Sequence, residues 1–198
     1  VKSTFISESA LKHFHGAKLK LEPGKYQIVC FGNVSDNTHL EGYGRGRSIP
    51  DGLIRYKTIE EIAQDGDEVF AAPRTKSLKK GATPGLFNLT VLPDTITVDT
   101  IDFTPFHRHV EVYIEGYDED GELYPMVEMT DVVYGYDFTF LTLRDRYNEE
   151  RRISLEKTCT RSYSPTGPVA VSTFCTSYFD NECPIEVLVK NPSTGQLK

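Results

Sequence analysis

No tryptophan occurs among the 198 residues, and none of the four cysteines forms a Cys-x-x-Cys pair. No apolar run approaches the roughly 20 residues needed to cross a bilayer. Each absence removes a class. Without the apolar run there is no membrane-spanning helix to build. Without paired cysteines there is neither a zinc ribbon nor a dithiol redox motif. Without tryptophan, the strongest aromatic platform for stacking a sugar ring is missing. A Gly-x-Ser-x-Gly nucleophile elbow and a His-Glu-x-x-His zinc helix are absent too, and the cysteines have no histidine partner by sequence. The expectation is therefore a protein that is not an enzyme and carries no cofactor. No basic–apolar–small export signal opens the chain, which starts on Val1 and reads as a mature or trimmed segment.

What is present supports folded cores: 38% apolar residues, of which eleven Tyr and eleven Phe supply the aromatic share. The length suits one large β domain or two of about 100 residues each. A formal charge of −7 argues against a general nucleic-acid binder. That charge is uneven. Residues 1–98 carry 13 Lys+Arg against 11 Asp+Glu, or +2, and residues 99–198 carry 9 against 18, or −9. The change falls beside the Pro-containing segment LPDTITVDTID and suggests two domains, 1–97 and 98–198.

Most of the chain reads as short strands separated by turns at regular spacing, the pattern of a β-sandwich with little α structure. AKLKLEPGKYQIVCFGN places alternating runs on either side of Pro23-Gly24, and the second run, apolar on both faces, should be a central strand. SESALKHFHG predicts a brief helix ended by Gly16. Residues 33–57, rich in Asn, Asp, Gly, Ser and Arg, read as a long surface excursion. Thr58 and Glu61 have capping-box spacing ahead of Ile59, Ile62 and Ala63, which predicts a second short helix. DEVFAAP and GLFNLTVL are strands around the basic turn RTKSLKKGATPG. Asp120-Gly121 is a hairpin signal, and YDFTFLTL, RRISLEKTCT, GPVAVSTFCTSYF and IEVLVKN continue the succession of strands.

Several residue groups invite chemistry, and each has a plainer reading beside it. In TPFHRHVEVYIEG, His107, His109 and Glu111 stand at alternate positions of a strand and so on one face. Two imidazoles and a carboxylate are zinc-type ligands. The same period puts Val110, Val112 and Ile114 on the opposite face, so burial alone explains the strand; His13, His15 and His39 lie in the other half. YDEDGELYP clusters acidic side chains, yet it lacks the twelve-residue EF-hand spacing and reads as an acidic strand end. GYGRGR lacks the strand before and helix after that a phosphate loop needs, and SIPDG gives no helix start. Arg45, Arg47 and Arg55, with Tyr43 and Tyr56, remain able to meet an anionic surface or a glycan, as do Tyr147 and Tyr163 in expected loops. Cys175 and Cys183 could crosslink a hairpin in an oxidising compartment or stay free thiols; Cys30, within IVCF, reads as a buried thiol. No catalytic, cofactor or metal residue is assigned.

Taken in order, LKLEPGKYQIVCFGN, DTIDFTPFHRHVEVYIEGY, YGYDF, RRISLEKT and VKNPSTGQL resemble successive segments of the anchor and accessory subunits of Bacteroidetes-type fimbriae. The resemblance implies two tandem transthyretin-like β-sandwich domains in a structural subunit of a surface fimbrium. It implies an N-terminal lipid anchor to the outer membrane, outside this chain, and partners that are other fimbrial subunits. It also implies an opening strand before Val1 and a last strand after Lys198; either these strands are trimmed from this segment, or one or both sandwiches present an edge open to strand addition. Two Asp-Thr-Ile triplets, 94–96 and 99–101, resemble the short O-glycosylation signal of these bacteria. The alternative reading is a cell-surface glycan-binding β-sandwich that uses residues 42–57.

Overall fold

A computed structural model describes residues 4–9, 12, 16–42, 47–57, 62–63, 65–72, 87–116, 125–176, 186–191 and 193–197. The first half supplies β1 (Gly24–Ile28), β2 (Cys30–Gly32), β3 (Thr38–Glu41), β4 (Leu53–Tyr56), β5 (Ile62–Ala63), β6 (Phe70–Ala72) and β7 (Phe87–Val91). The second half supplies β8 (Thr104–Pro105), β9 (Arg108–Glu115), β10 (Met126–Val133), β11 (Gly135–Asp137) and β12 (Arg152–Thr158). It closes with β13 (Thr160–Ser164), β14 (Gly167–Thr176) and β15 (Glu186–Lys190). They form five sheets: β1-β7, β2-β6-β8, β11-β4-β3, β15-β10-β12-β5 and β13-β14-β9. All pairings are antiparallel except β5 with β12. The chain is all-β.

Three of those sheets mix the two halves. β4 pairs with β11, β6 with β8, and β5 with β12. One core follows, joining Ile54, Tyr56, Val69 and Ala71 to Phe106, Val127, Met129, Leu155, Ala170 and Phe174. The expected boundary at 97/98 is thus crossed by hydrogen bonds and by the core. Charge changes sign there, but charge reports on surface, not on which strands pair. Outside this core stands the β1-β7 ribbon, none of whose described side chains belongs to it.

Close packing at two glycines makes the β4–β11 junction possible. A Cβ on Gly135 would lie 2.3 Å from the Ile54 carbonyl oxygen, and one on Gly52 would lie 2.2 Å from the Phe138 ring. The YGYDF sequence therefore places a side-chain-free residue between two core tyrosines where β11 crosses β4. Just beyond, Asp137 Oδ1 accepts from the backbone N–H groups of Thr139 and Leu141. That turn folds Phe138 and Phe140 inward onto Phe31, at ring separations of 5.4 and 5.9 Å, and Phe140 also meets Phe106. YDFTFLTL is therefore one short strand and an aromatic turn.

Several local expectations are corrected. Residues 18–22 form no strand, and the run after Pro23-Gly24 breaks into β1 and β2, both sheet edges, so the strand expected to be central is not. Residues 33–57 are not a surface excursion: β3 and β4 lie there, with Ile54 and Tyr56 fully buried. Ile62 and Ala63, expected in a helix, form β5, because β12 offers them a ladder; residues 58–61 lie outside the described set. SIPDG does start a helix, the 3-10 turn Ile49–Asp51, where Ser48 donates from its N–H and its hydroxyl to Asp51. β9 and β10, expected to form a hairpin, lie in different sheets, and residues 117–124 between them are not described. Of the first helix, Glu8, Ser9 and Lys12 are helical, with a Glu8–Lys12 ion pair at 2.5 Å.

Asp65 to Val69 has no regular structure but is bonded on all sides. Asp65 accepts from the Cys175 N–H at 2.5 Å and from the Lys157 ammonium at 2.7 Å, while Gly66 N–H donates to the Cys175 carbonyl. Asp67, buried, accepts from Ser35 N–H at 3.0 Å and Asn37 N–H at 3.3 Å. Val69 N–H donates to the Asp67 carbonyl, and the Val69 carbonyl in turn accepts from Phe106 N–H. Asp67→Ala strands the two loop donors, and a part-buried donor left without a partner costs about 1–3 kcal/mol. Urea unfolding of Asp67→Ala should show that loss, whereas Asp36→Ala, on an exposed side chain, should change stability by under about 0.5 kcal/mol.

A second charged feature lies across β10. Glu128 stands directly opposite Glu156 on β12, a like-charge pair that would destabilise the ladder. Lys190, from β15 on the other side of β10, contacts the Glu128 carboxylate and reaches Glu156 Oε2 at 3.4 Å. The Lys190 ammonium holds the Glu128 carboxyl below its ordinary range against the opposing effect of burial, and Glu128 raises the Lys190 amine. A lowered carboxyl contributes stability above its unfolded value, about 4.3, and loses it as pH falls through the folded value. Lys190→Met should therefore melt at lower temperature than wild type at pH 7, with the gap narrowing toward pH 3, as followed by circular dichroism.

Candidate functional site

The β6–β8 ladder decides what surrounds the two histidines. Phe70 pairs with Pro105 and Ala71 with Thr104. Continuing that register past the ends of both strands brings Glu68 level with His107, and the Phe106 N–H to Val69 carbonyl bond at 2.8 Å follows the same line. β9 then runs along β14, with His109 opposite Cys175. As the alternation predicts, Val110, Val112 and Ile114 pack against the core, while His109, Glu111, Tyr113 and Glu115 are exposed.

The trio anticipated on one strand face is rearranged. Glu111 accepts a hydrogen bond from the Tyr113 hydroxyl at 2.6 Å, which raises the Tyr113 phenol above its ordinary value. Its place near the histidines is taken by Glu68, whose Oε1 lies 3.1 Å from His109 Nε2. His107 precedes β9 and is half-buried. Its ring stacks edge-on against Phe70 at 5.1 Å and against His109 at 5.5 Å. Its Nδ1 sits 2.9 Å from the Val69 carbonyl oxygen, which can only accept, so Nδ1 carries the proton. Sequence reasoning missed Glu68 because nothing local links it to residue 107; only strand pairing does.

Other residues singled out by type fall elsewhere. Tyr56 is core, and Arg55 is half-buried, paired with Glu41 and donating to the Tyr134 hydroxyl at 2.9 Å. Neither is a loop contact. His39 lies 3.4 Å from Glu41, at the same pair. Tyr43, Arg45, His13, His15, Cys183 and residues 117–124 lie outside the described residues. Tyr147 and Tyr163 are exposed, each beneath an arginine, Arg146 at 4.7 Å and Arg161 at 5.7 Å from the ring centre; Tyr163 belongs to β13 and not to a loop. Cys30, Cys159 and Cys175 are free thiols. Burial first, then the carboxylates of Asp65, Glu68 and Asp67, push Cys175 up to about 12, which leaves it a poor nucleophile. Thr95 and Thr100 of the two Asp-Thr-Ile triplets are exposed.

Strand edges are the other feature with chemistry to offer. Among the described residues β9 pairs with β14 alone, along eight residues without a register shift, and β13 and β3 each have one partner. β15 is partly closed: Asn191 accepts from Ser193 and Thr194, and the turn returns Leu197 to bridge Lys190. An edge strand carries a row of backbone donors and acceptors that another strand can pair with.

No protein-family model and no curated sequence matches the chain. Its fold is shared with solved structures. One is a candidate polysaccharide-binding protein of Bacteroides thetaiotaomicron, at 12% identity and TM-score 0.64, covering 90% of this chain and 58% of that one. Another is a candidate adhesin of Bacteroides ovatus, at 12% identity and TM-score 0.62, covering 89% and 56%. A third is the fimbrial anchor protein Mfa2 of Porphyromonas gingivalis, at 15% identity and TM-score 0.56, covering 89% and 59%. The chain spans less than two thirds of each of these proteins, and nearly all of it has the fold they share.

Proposed function

We propose that this chain is an anchoring or accessory subunit of a bacterial surface fimbrium that joins other subunits by strand addition. The observation that carries the reading is the likeness over 89% of the chain to a fimbrial anchor protein, in the company of candidate adhesins. The ordered resemblance of LKLEPGKYQIVCFGN, YGYDF and VKNPSTGQL to that class, noted from the sequence, supports it independently. Location at the cell surface, with a lipid anchor in the outer membrane outside this chain, belongs to the same reading. So does a division of labour in which the protein binds and positions its partners and performs no catalysis.

Of the edges, β9 suits an incoming strand best. It is long, its register with β14 is regular, and its inward face is already packed on the core. An added strand would extend the β13-β14-β9 sheet by main-chain hydrogen bonds, with the exposed His109, Glu111, Tyr113 and Glu115 side chains setting which sequences fit.

A second reading, a glycan-binding module, draws on the candidate polysaccharide-binding neighbour and on the exposed Tyr147–Arg146 and Tyr163–Arg161 pairs. It predicts retention on polysaccharide gels that is lost in Tyr147→Ala or Tyr163→Ala.

Successive N–H groups alternate between the two edges of a strand, so one of Glu111 and Val112 points its N–H at β14 and the other points it outward. With purified shaft subunits of the bacterium that makes the chain, wild type should form a complex on size exclusion. The proline variant at whichever position faces outward should stay folded and lose capture at least about tenfold. The other should unfold. Failure of wild type to capture any fimbrial subunit, or unchanged capture by the folded proline variant, would overturn strand addition at β9.

A further inference from the structure

Glu68, His107 and His109 place three metal-type donor atoms within 4.8 Å of one another where the chain enters β9. We propose that these side chains bind one divalent transition-metal ion of the zinc class, with at least one coordination position left open to water or to a donor from another molecule.

The donor set comes first. Two imidazoles and one carboxylate are borderline ligands that suit zinc, nickel and copper better than magnesium or calcium, and three protein ligands leave a tetrahedral site one position short. The supporting contacts come second. His107 gives its Nδ1 proton to the Val69 carbonyl, so its Nε2 carries a lone pair held in a fixed direction. The edge-on contact with Phe70 and the half-buried position limit the ring's movement. A backbone carbonyl orienting the far nitrogen is the arrangement that metal-binding histidines use.

Distance comes third. Ligand atoms about 2.0–2.2 Å from a tetrahedral zinc are about 3.3–3.6 Å from each other. Glu68 Oε1 and His109 Nε2, at 3.1 Å, are already that close. The remaining separations, at most 4.8 Å, need to shrink by up to about 1.5 Å, within reach of the Glu68 and His109 side chains, which are 53% and 50% exposed. An ordinary ion pair explains Glu68 with His109 but leaves the oriented Nε2 of His107 without a partner among the described residues. The ion would also tie the Asp65–Val69 segment to the first turn of chain before β9, closing a clamp that one hydrogen bond and one backbone contact already begin.

The test uses the full 198-residue chain, free of any histidine tag and stripped with EDTA. Isothermal titration with zinc chloride should give one ion per chain, and zinc should raise the melting temperature. Cobalt(II) should give the visible absorption of a tetrahedral site. Glu68→Gln and His109→Gln alter exposed side chains; their metal-free circular dichroism and melting should match wild type, and zinc affinity should fall at least tenfold in each. A His13→Gln/His15→Gln double variant should bind as wild type does. Absence of stoichiometric zinc on wild type, or unchanged affinity in Glu68→Gln, would overturn the proposal, and so would loss of binding only in the His13/His15 variant.

Discussion

The stretch from Asp65 to Val69 holds the fold together, though it has no strand or helix of its own. Its two aspartates, one glycine N–H and the carbonyls of Glu68, which accepts from Asn33, and Val69 are bonded to the loop before β3, to β12 and β14, and to the residues that lead into β9. Asx side chains are suited to this because a carboxylate can accept several backbone N–H groups at once where no ladder is available. Once the segment is in place, β6 and β8 are in register, the core closes over Val69 and Phe106, and the start of β9 is set. A hub of this kind makes the halves interdependent. Neither residues 1–97 nor residues 98–198 could build the observed core alone.

That interdependence bears on function. In the function proposed above, a subunit that joins others through strand edges must keep its own sheets from shifting register, since a one-residue slip turns every buried side chain outward. Here register is held by features other than strand length, for most strands are short. Gly135 lets β11 lie against β4; Lys190 offsets the facing carboxylates of Glu128 and Glu156. The bulge at Thr130–Asp131, with Asp131 at φ 60°, lets β10 keep contact with β12 while its alternation resets. β9 needs none of these, being paired in unbroken register along its whole length on one side.

The histidine cluster shows how strand pairing can regroup side chains that a strand pattern had put together. Period-two alternation correctly turned His109 and Glu111 to the solvent face. It carried no information about the strand end facing them from residue 68, because that neighbour is set by the β6–β8 ladder. His107, one residue ahead of β9, is under no obligation to follow the strand's alternation, and it turns toward Val69 and Phe70 instead. The same limit explains Tyr56 and Arg55. A polar, glycine-rich neighbourhood made them look like loop residues, yet two four-residue strands pass through it to the centre of the core.

By itself the sequence determined the all-β class, the position of most strands and the inward face of β9, because local alternation and turn residues act over a few positions. Tertiary structure decided which strands became neighbours, that Ile62-Ala63 would be strand, that β9 and β10 would belong to different sheets, and that Glu68 would face His107. Those outcomes depend on pairing between residues far apart in the chain, where a ladder or a shared core offers more than local propensity does. No window of sequence contains both partners.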